Sequence, residues 1–187
     1  MKIDQLSHYV RTYDDFLDKK TCKSLIKLFE ENADKHERYD NNYRPKFTQL
    51  NITQHFDNSE DHNTLISATQ NILDQYIQDT KMFRVMMPAE YRHEQFRLKK
   101  YTKGTDEQFA QHVDVGDHSS SKRFLVMFFY LNGVNEGGET EFTTIGKKVK
   151  PKRGRALVFP PLWLYPHCGK PAITQDKYII GTYLHYV

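Results

Sequence analysis

Four side chains able to bind a metal or move a proton crowd into "QHVDVGDH": His112, Asp114, Asp117 and His118. In an extended segment, side chains two apart point to one side, so His112 and Asp114 can aim at a common point while Val113 packs the other way. Asp117 and His118 follow Gly116, where a turn is expected, and they read as loop residues. Two ligands are expected here, not four. His167, in "YPHCG", is the candidate third. Two imidazoles and one carboxylate on one face of an ion leave three positions open, the donor set of non-haem Fe(II) oxygenation chemistry; a structural zinc would instead be closed by a fourth protein ligand. Blander readings compete on spacing alone. An HxD pair is most often a solvated histidine beside a turn acid, and His167 fits slightly better as an aromatic-packed surface residue between Pro166 and Cys168.

Two further residues bear on that choice. Lys177 opens the apolar run "KYIIGTYLHYV" ten residues after His167, and a lysine buried in such a strand is unfavourable unless an anion meets it. The ordinary alternative is a strand-end lysine whose amine reaches water. Tyr101, in "LKKYTKGT", closes a candidate strand ahead of the HxD pair and could offer a phenol hydroxyl to the same anion. Cys22 and Cys168 are too far apart in sequence for a CxxC metal motif and too few for a disulfide framework, so two free thiols are expected.

The elements that must carry these residues follow from hydrophobic period. A chain of 187 residues fits one domain. "YDDFLDKKTCKSLIKLFEENADKH" and "SEDHNTLISATQNILDQYIQDTKMF" hold apolar residues at helical spacing, with Asp18 or Thr21 and Ser59 as caps. Between them, "RPKFTQLNITQHF" shows partial alternation around Leu50 and Ile52. From about Glu94 the pattern becomes short apolar runs cut by Gly, Pro and Asn, the mark of many strands, and "NGVNEGG" offers hairpin turn residues. "RFLVMFFYL" is apolar almost throughout and should be covered on both faces. Twelve Tyr and twelve Phe suit a sheet. The expected architecture is a sandwich or jelly roll with helices packed on one sheet.

Net charge of +3 does not mark a nucleic-acid binder. The one basic cluster, "GKKVKPKRGR", reads as a solvated rim. No stretch is long enough to span a membrane and no leader is evident, so a cytoplasmic protein is expected.

In order, "YTKGTDEQFAQHVD", "FFYLN", "GGETEF", "PKRGRALVFP" and "PHCGKPAITQDKYIIGTYLHY" resemble the 2-oxoglutarate and Fe(II) dependent dioxygenases, within them the prolyl 4-hydroxylase group. The likeness runs from about Glu94 to the C-terminus; before it, only "DDFLDKKTCKSLI" is similar. It implies a fold mainly β with α, a double-stranded β-helix flanked by N-terminal helices. The chain would be one domain, 1–93 a helical support region and 94–187 the catalytic core. It implies Fe(II) on His112, Asp114 and His167, and 2-oxoglutarate held by Lys177 with Tyr101, Tyr130 and Thr140 helping. Arg123 and Tyr183 would face the substrate, Tyr183 standing where the family usually has tryptophan. The implied reaction couples O2 and decarboxylation of 2-oxoglutarate to succinate and CO2 with hydroxylation of a prolyl residue in a protein or peptide; ascorbate would be an auxiliary reductant. The loops "SEDHNTLIS" and "MPAEYRHEQ" would help form the cleft. Other readings are a hydroxylase of a free amino acid or other small molecule, a catalytically silent barrel that binds, and, last, a nucleic-acid demethylase.

Overall fold

The computed structural model describes residues 5–41 and 45–187. Two antiparallel sheets face each other, as a jelly roll requires. The larger runs β2(Glu37–Asp40), β3(Lys46–Asn51), β5(Arg97–Tyr101), β12(Lys177–Tyr186), β7(Arg123–Tyr130), β10(Ala156–Phe159) and β1(Arg11–Tyr13), with β4(Tyr91–His93) added beside β12. The smaller runs β6(Phe109–His112), β11(His167–Gly169), β8(Thr140–Phe142) and β9(Lys147–Val149).

The helices α1(Lys19–Glu30) and α3(Glu60–Thr80) cover the outer face of the larger sheet, and the short α2(Ile52–Phe56) leads from β3 into α3. Asp18 caps α1 by accepting from the Thr21 amide, and Ser59 caps α3 by accepting from His62. The continuous apolar run of β7 has the two-sided burial its composition demands. Leu125, Met127 and Phe129 join the helical core, while Val126 and Tyr130 join a second cluster between the sheets with Phe142, Leu157 and Phe159. β12 divides likewise: Tyr178, Ile180 and Leu184 meet the helices, and Ile179 and Tyr183 pack on the inner side.

Two expectations need correction. The segment 1–93 is more than helical support, because β1, β2, β3 and β4 all come from it and complete the larger sheet. β1 and β4 are three residues each, too short to show a two-residue period. "NGVNEGG" does not close a hairpin either: β7 and β8 lie in different sheets, and this loop crosses between them. The basic "GKKVKPKRGR" is a rim partly neutralised at its end, where Lys152 and Arg155 both pair with Asp14.

Gly181 sits in the middle of β12, opposite Phe128 on β7 and Arg97 on β5. A Cβ there would meet the Phe128 Cβ at 2.6 Å and the Met127 carbonyl oxygen at 3.0 Å. Gly181→Ala should therefore lower the stability by about 1–3 kcal/mol, as overpacking does. The urea midpoint measures this, and an unchanged midpoint would show that β7 yields freely.

Candidate active site

The register of the smaller sheet brings the imidazoles together. β11 runs antiparallel to β6 with His167 directly opposite His112, and the ring centroids lie 4.3 Å apart. Residues so paired share a face of the sheet. Asp114 follows His112 by two and returns to the same side. Its Oδ1 is 3.7 Å from the Nε2 of His112, and its Oδ2 is 3.6 Å from the Nε2 of His167. One ligand atom from each of the three lies within 4.8 Å of the others.

Several observations fit this cluster to a metal ion. The Nδ1 of His112 lies 2.8 Å from the Ala110 carbonyl oxygen, and the Nδ1 of His167 lies 3.1 Å from that of Tyr165. Donation of Nδ1–H to these carbonyls leaves each Nε2 with a free lone pair toward Asp114. The Oδ2 of Asp114 is buried with no hydrogen-bond partner, a costly state for a carboxylate unless a cation is supplied. Burial alone would raise the Asp114 pKa, but the two imidazoles beside it and the Tyr183 hydroxyl hold it down to about 2. Burial, the largest influence, keeps the His167 pKa below its usual value despite Asp114 beside it. Phe109 stacks on His112 with centroids 3.7 Å apart, and Phe142 and Phe159 flank His167, which fixes both rings.

These ligands open onto a cavity of about 270 Å³ between the sheets. At its inner end stands Lys177, only 1% exposed, with no hydrogen bond or ion pair among the described residues. Its Nζ lies 4.9 Å from the centroid of Tyr101. Desolvation pushes its pKa down to about 8, against a partial counter-effect from Glu139. An anion arriving there would be met by an amine with no competing partner. Tyr101 and Thr140 line the same cavity. Tyr130 is fully buried beside them: its hydroxyl donates to the Thr140 Oγ1 at 2.7 Å, which orients Thr140, and its ring centroid lies 6.0 Å from the Lys177 Nζ.

The two residues expected to face substrate have their polar groups occupied within the protein. Arg123 is clamped bidentately by Glu94, at 2.7 and 2.9 Å, and its remaining nitrogen donates to the Asp114 carbonyl. Its guanidinium lies over the ring of Tyr183 at 3.9 Å. The Tyr183 hydroxyl donates to the Asp114 Oδ1 at 2.7 Å. Burial, followed by the nearby Asp114 charge, raises the phenol pKa well above its usual value and keeps it a donor. Both residues line the cavity, but their polar contacts position Asp114. Asp117 and His118 lie outside the cluster; Asp117 accepts from Ser119 and Ser120 in its own loop. Of the two loops expected at the cleft, "SEDHNTLIS" forms the first turns of α3 outside the cavity, whereas Glu94 and Gln95 reach the wall. Sequence reasoning missed Glu94, whose partner lies 29 residues away. It also missed Lys99, which strand alternation through "RLKKY" places on the same face as Tyr101.

Tyr183→Phe should weaken Co(II) or Fe(II) binding about tenfold while leaving the thermal midpoint nearly unchanged, since outer hydrogen bonds to a ligand typically tune affinity to this degree. A Co(II) absorption titration reads it, and unchanged affinity would remove Tyr183 from the metal site. Because metal competes with protons for neutral imidazole and ionised carboxylate, affinity should hold down to the ordinary histidine value near 6.5 and fall below it, as His167 is shifted downward and Asp114 lower still. Loss beginning well above that value would contradict this ligand set.

Comparison with known proteins agrees with this geometry. Residues 96–185 match the family model of the 2OG-Fe(II) oxygenase superfamily. A putative prolyl 4-hydroxylase of Acanthamoeba polyphaga mimivirus is 38% identical over 66 residues, which span 31% of this chain and 27% of that protein. Among solved structures, a viral collagen prolyl hydroxylase from Paramecium Bursaria Chlorella virus-1, in a 2OG complex, superposes with a TM-score of 0.73. It is 22% identical, and the match covers 96% of this chain and 97% of that one. A prolyl hydroxylase from Trichoplax adhaerens, in complex with a hypoxia inducible factor peptide fragment, gives a TM-score of 0.70 at 17% identity, covering 96% and 84%. At these identities the structures speak for the fold. The His112–Asp114–His167 cluster and Lys177 all fall within the residues that match the model of the 2OG-Fe(II) oxygenase superfamily, which span just under half of the chain.

Proposed function

We propose that the chain is an Fe(II)- and 2-oxoglutarate-dependent dioxygenase that hydroxylates prolyl residues in a protein or peptide. The observation that carries this reading is one cavity with two complementary ends: a histidine, carboxylate, histidine cluster at one and an unpaired buried ammonium, Lys177, at the other. That pair of features suits a small dicarboxylate able to chelate a metal through its keto acid end. Bound iron would supply the oxygen chemistry, with three coordination positions left open by the protein.

The protein's own residues bind and orient. Lys177 takes the distal carboxylate as a point charge, which fixes distance but not rotation. Tyr101 and Thr140 supply directional hydroxyls beside it, and Tyr130 holds Thr140 in place. Arg123, Glu94 and Tyr183 keep Asp114 aimed at the imidazoles. Preorganisation of this kind confines the oxidant to the C–H presented at the cavity mouth. A peptide substrate is supported by the names of the mimivirus relative and the Trichoplax complex.

The test is succinate formation with Fe(II), 2-oxoglutarate and ascorbate, with and without proline-containing peptides. Peptides should stimulate turnover and gain one oxygen by mass. Asp114→Ala should abolish both, and Lys177→Met should raise the KM for 2-oxoglutarate about tenfold or more by removing a charge-assisted contact. Turnover stimulated only by free amino acids would replace the peptide by a small molecule. Metal binding with no turnover under any of these conditions would favour the silent barrel.

A further inference from the structure

The cavity holds a second lysine that the cosubstrate does not account for. Lys99 lies on β5 two residues before Tyr101, so it projects from the same face one step, about 7 Å, toward the mouth. Across the sheet it pairs with Ile179, whereas Tyr101 pairs with Lys177. Its side chain is partly buried and lines the cavity. The amine makes no hydrogen bond or ion pair among the described residues. It lies instead over two aromatic rings, 4.9 Å from the centroid of Phe47 and 5.4 Å from that of Phe109. Phe109 is the ring that stacks on His112, so Lys99 stands one aromatic ring away from the metal cluster.

The other cations around the cavity are treated differently. Arg123 has Glu94 as a bidentate partner, and exposed Arg97 hydrogen-bonds to Gln95. Lys100, next in sequence but on the opposite face, pairs with Glu30 and Asp176. Both lysines that line this cavity, Lys99 and Lys177, are without an acid partner among the described residues, whereas Lys100 outside it has two. Desolvation lowers the Lys99 pKa to about 8, with Asp114 the one group acting against it. When loaded, the 2+ metal, the Asp114 carboxylate, the cosubstrate dianion and Lys177 neutralise one another. Lys99 then stands toward the cavity mouth as a half-buried positive charge that no acid of the lining pairs, which is unfavourable without an anion.

We infer that Lys99 is a specificity residue that binds a carboxylate carried by the substrate. The anion could be an aspartyl or glutamyl side chain flanking the target in a peptide, or the α-carboxylate of a free amino acid. Both are the same chemistry at Lys99. The inference takes the oxygenase reading of the cavity as given, and a binding measurement separates the two.

The protein is loaded with Mn(II) and the inert cosubstrate analogue N-oxalylglycine. Calorimetry then compares capped tetrapeptides containing proline, with Glu placed at each flanking position, against their Gln twins, and L-proline against L-prolinamide. At least one acid should bind about tenfold more tightly than its amide twin, as a charge-assisted contact allows, and which pair does so identifies the source. The preference should vanish in Lys99→Met, persist in Lys99→Arg and reverse toward Lys-flanked peptides in Lys99→Glu. The affinity for 2-oxoglutarate without peptide should stay within about twofold of wild type in Lys99→Met, the contact lying elsewhere. Equal binding of every acid and amide twin by wild type would overturn the inference, and this needs no variant to fold. A loss of 2-oxoglutarate affinity in Lys99→Met matching that of Lys177→Met would also overturn it, assigning Lys99 to the cosubstrate. An acid preference that persists when proline is replaced by alanine, with no hydroxylated product from any prolyl probe, would support the Lys99 assignment and reject prolyl hydroxylation.

Discussion

The site depends on a single register. If β11 slid by one residue along β6, His167 would turn to the other face of the smaller sheet and leave His112 and Asp114 as an ordinary pair. The aromatic rings around the imidazoles make that slip unfavourable. Phe142 on β8 is paired directly with His167, and Phe159 meets the same ring from the larger sheet. The packing that fills the space between the sheets is thus the packing that fixes the geometry of the histidine and carboxylate cluster, and it uses apolar groups that offer no competing donor atoms.

The larger sheet contributes charge rather than ligands. β12 pairs along its length with β4, β5 and β7, so its inner face is among the most constrained surfaces in the molecule. Lys177 is held there without an ion-pair partner among the described residues, an arrangement that is destabilising by itself. Aromatic faces moderate it: Tyr101 under Lys177, and Phe47 and Phe109 near Lys99. A ring can lessen the desolvation of an ammonium without neutralising it, and so the amine remains available to an incoming carboxylate.

Much of this was legible because chemistry and period coincide. The alternation in "HVD" placed two ligands on one side of a strand, and the lysine ten residues beyond His167 stood out against an apolar run. The ordered motifs from Glu94 onward carried the barrel. What stayed hidden was non-local. The strands β1 and β4 are too short for a pattern and exist because β10 and β12 offer edges to pair with. The partner of Arg123 could not be read from "SKRFLV", since Glu94 is brought to it by the crossing of two chain segments. Tyr130 was placed on the correct strand, but its hydroxyl direction depends on Thr140 in the other sheet.

The contrast between Arg123 and the lysines follows from their chemistry. A guanidinium presents a planar fork, and here both sides of it are taken, by the Glu94 carboxylate and by the carbonyl of Asp114. It acts as a rigid brace that transmits the position of β4's flank to Asp114. An ammonium on a four-carbon stem is a poor brace but a good electrostatic partner, because its charge is compact and its direction adjustable. Where the cavity needs fixed geometry the sequence has Arg123 and Tyr183. Where the cavity leaves a charge free to turn it has Lys177 and Lys99, neither of which forms a hydrogen bond or ion pair among the described residues.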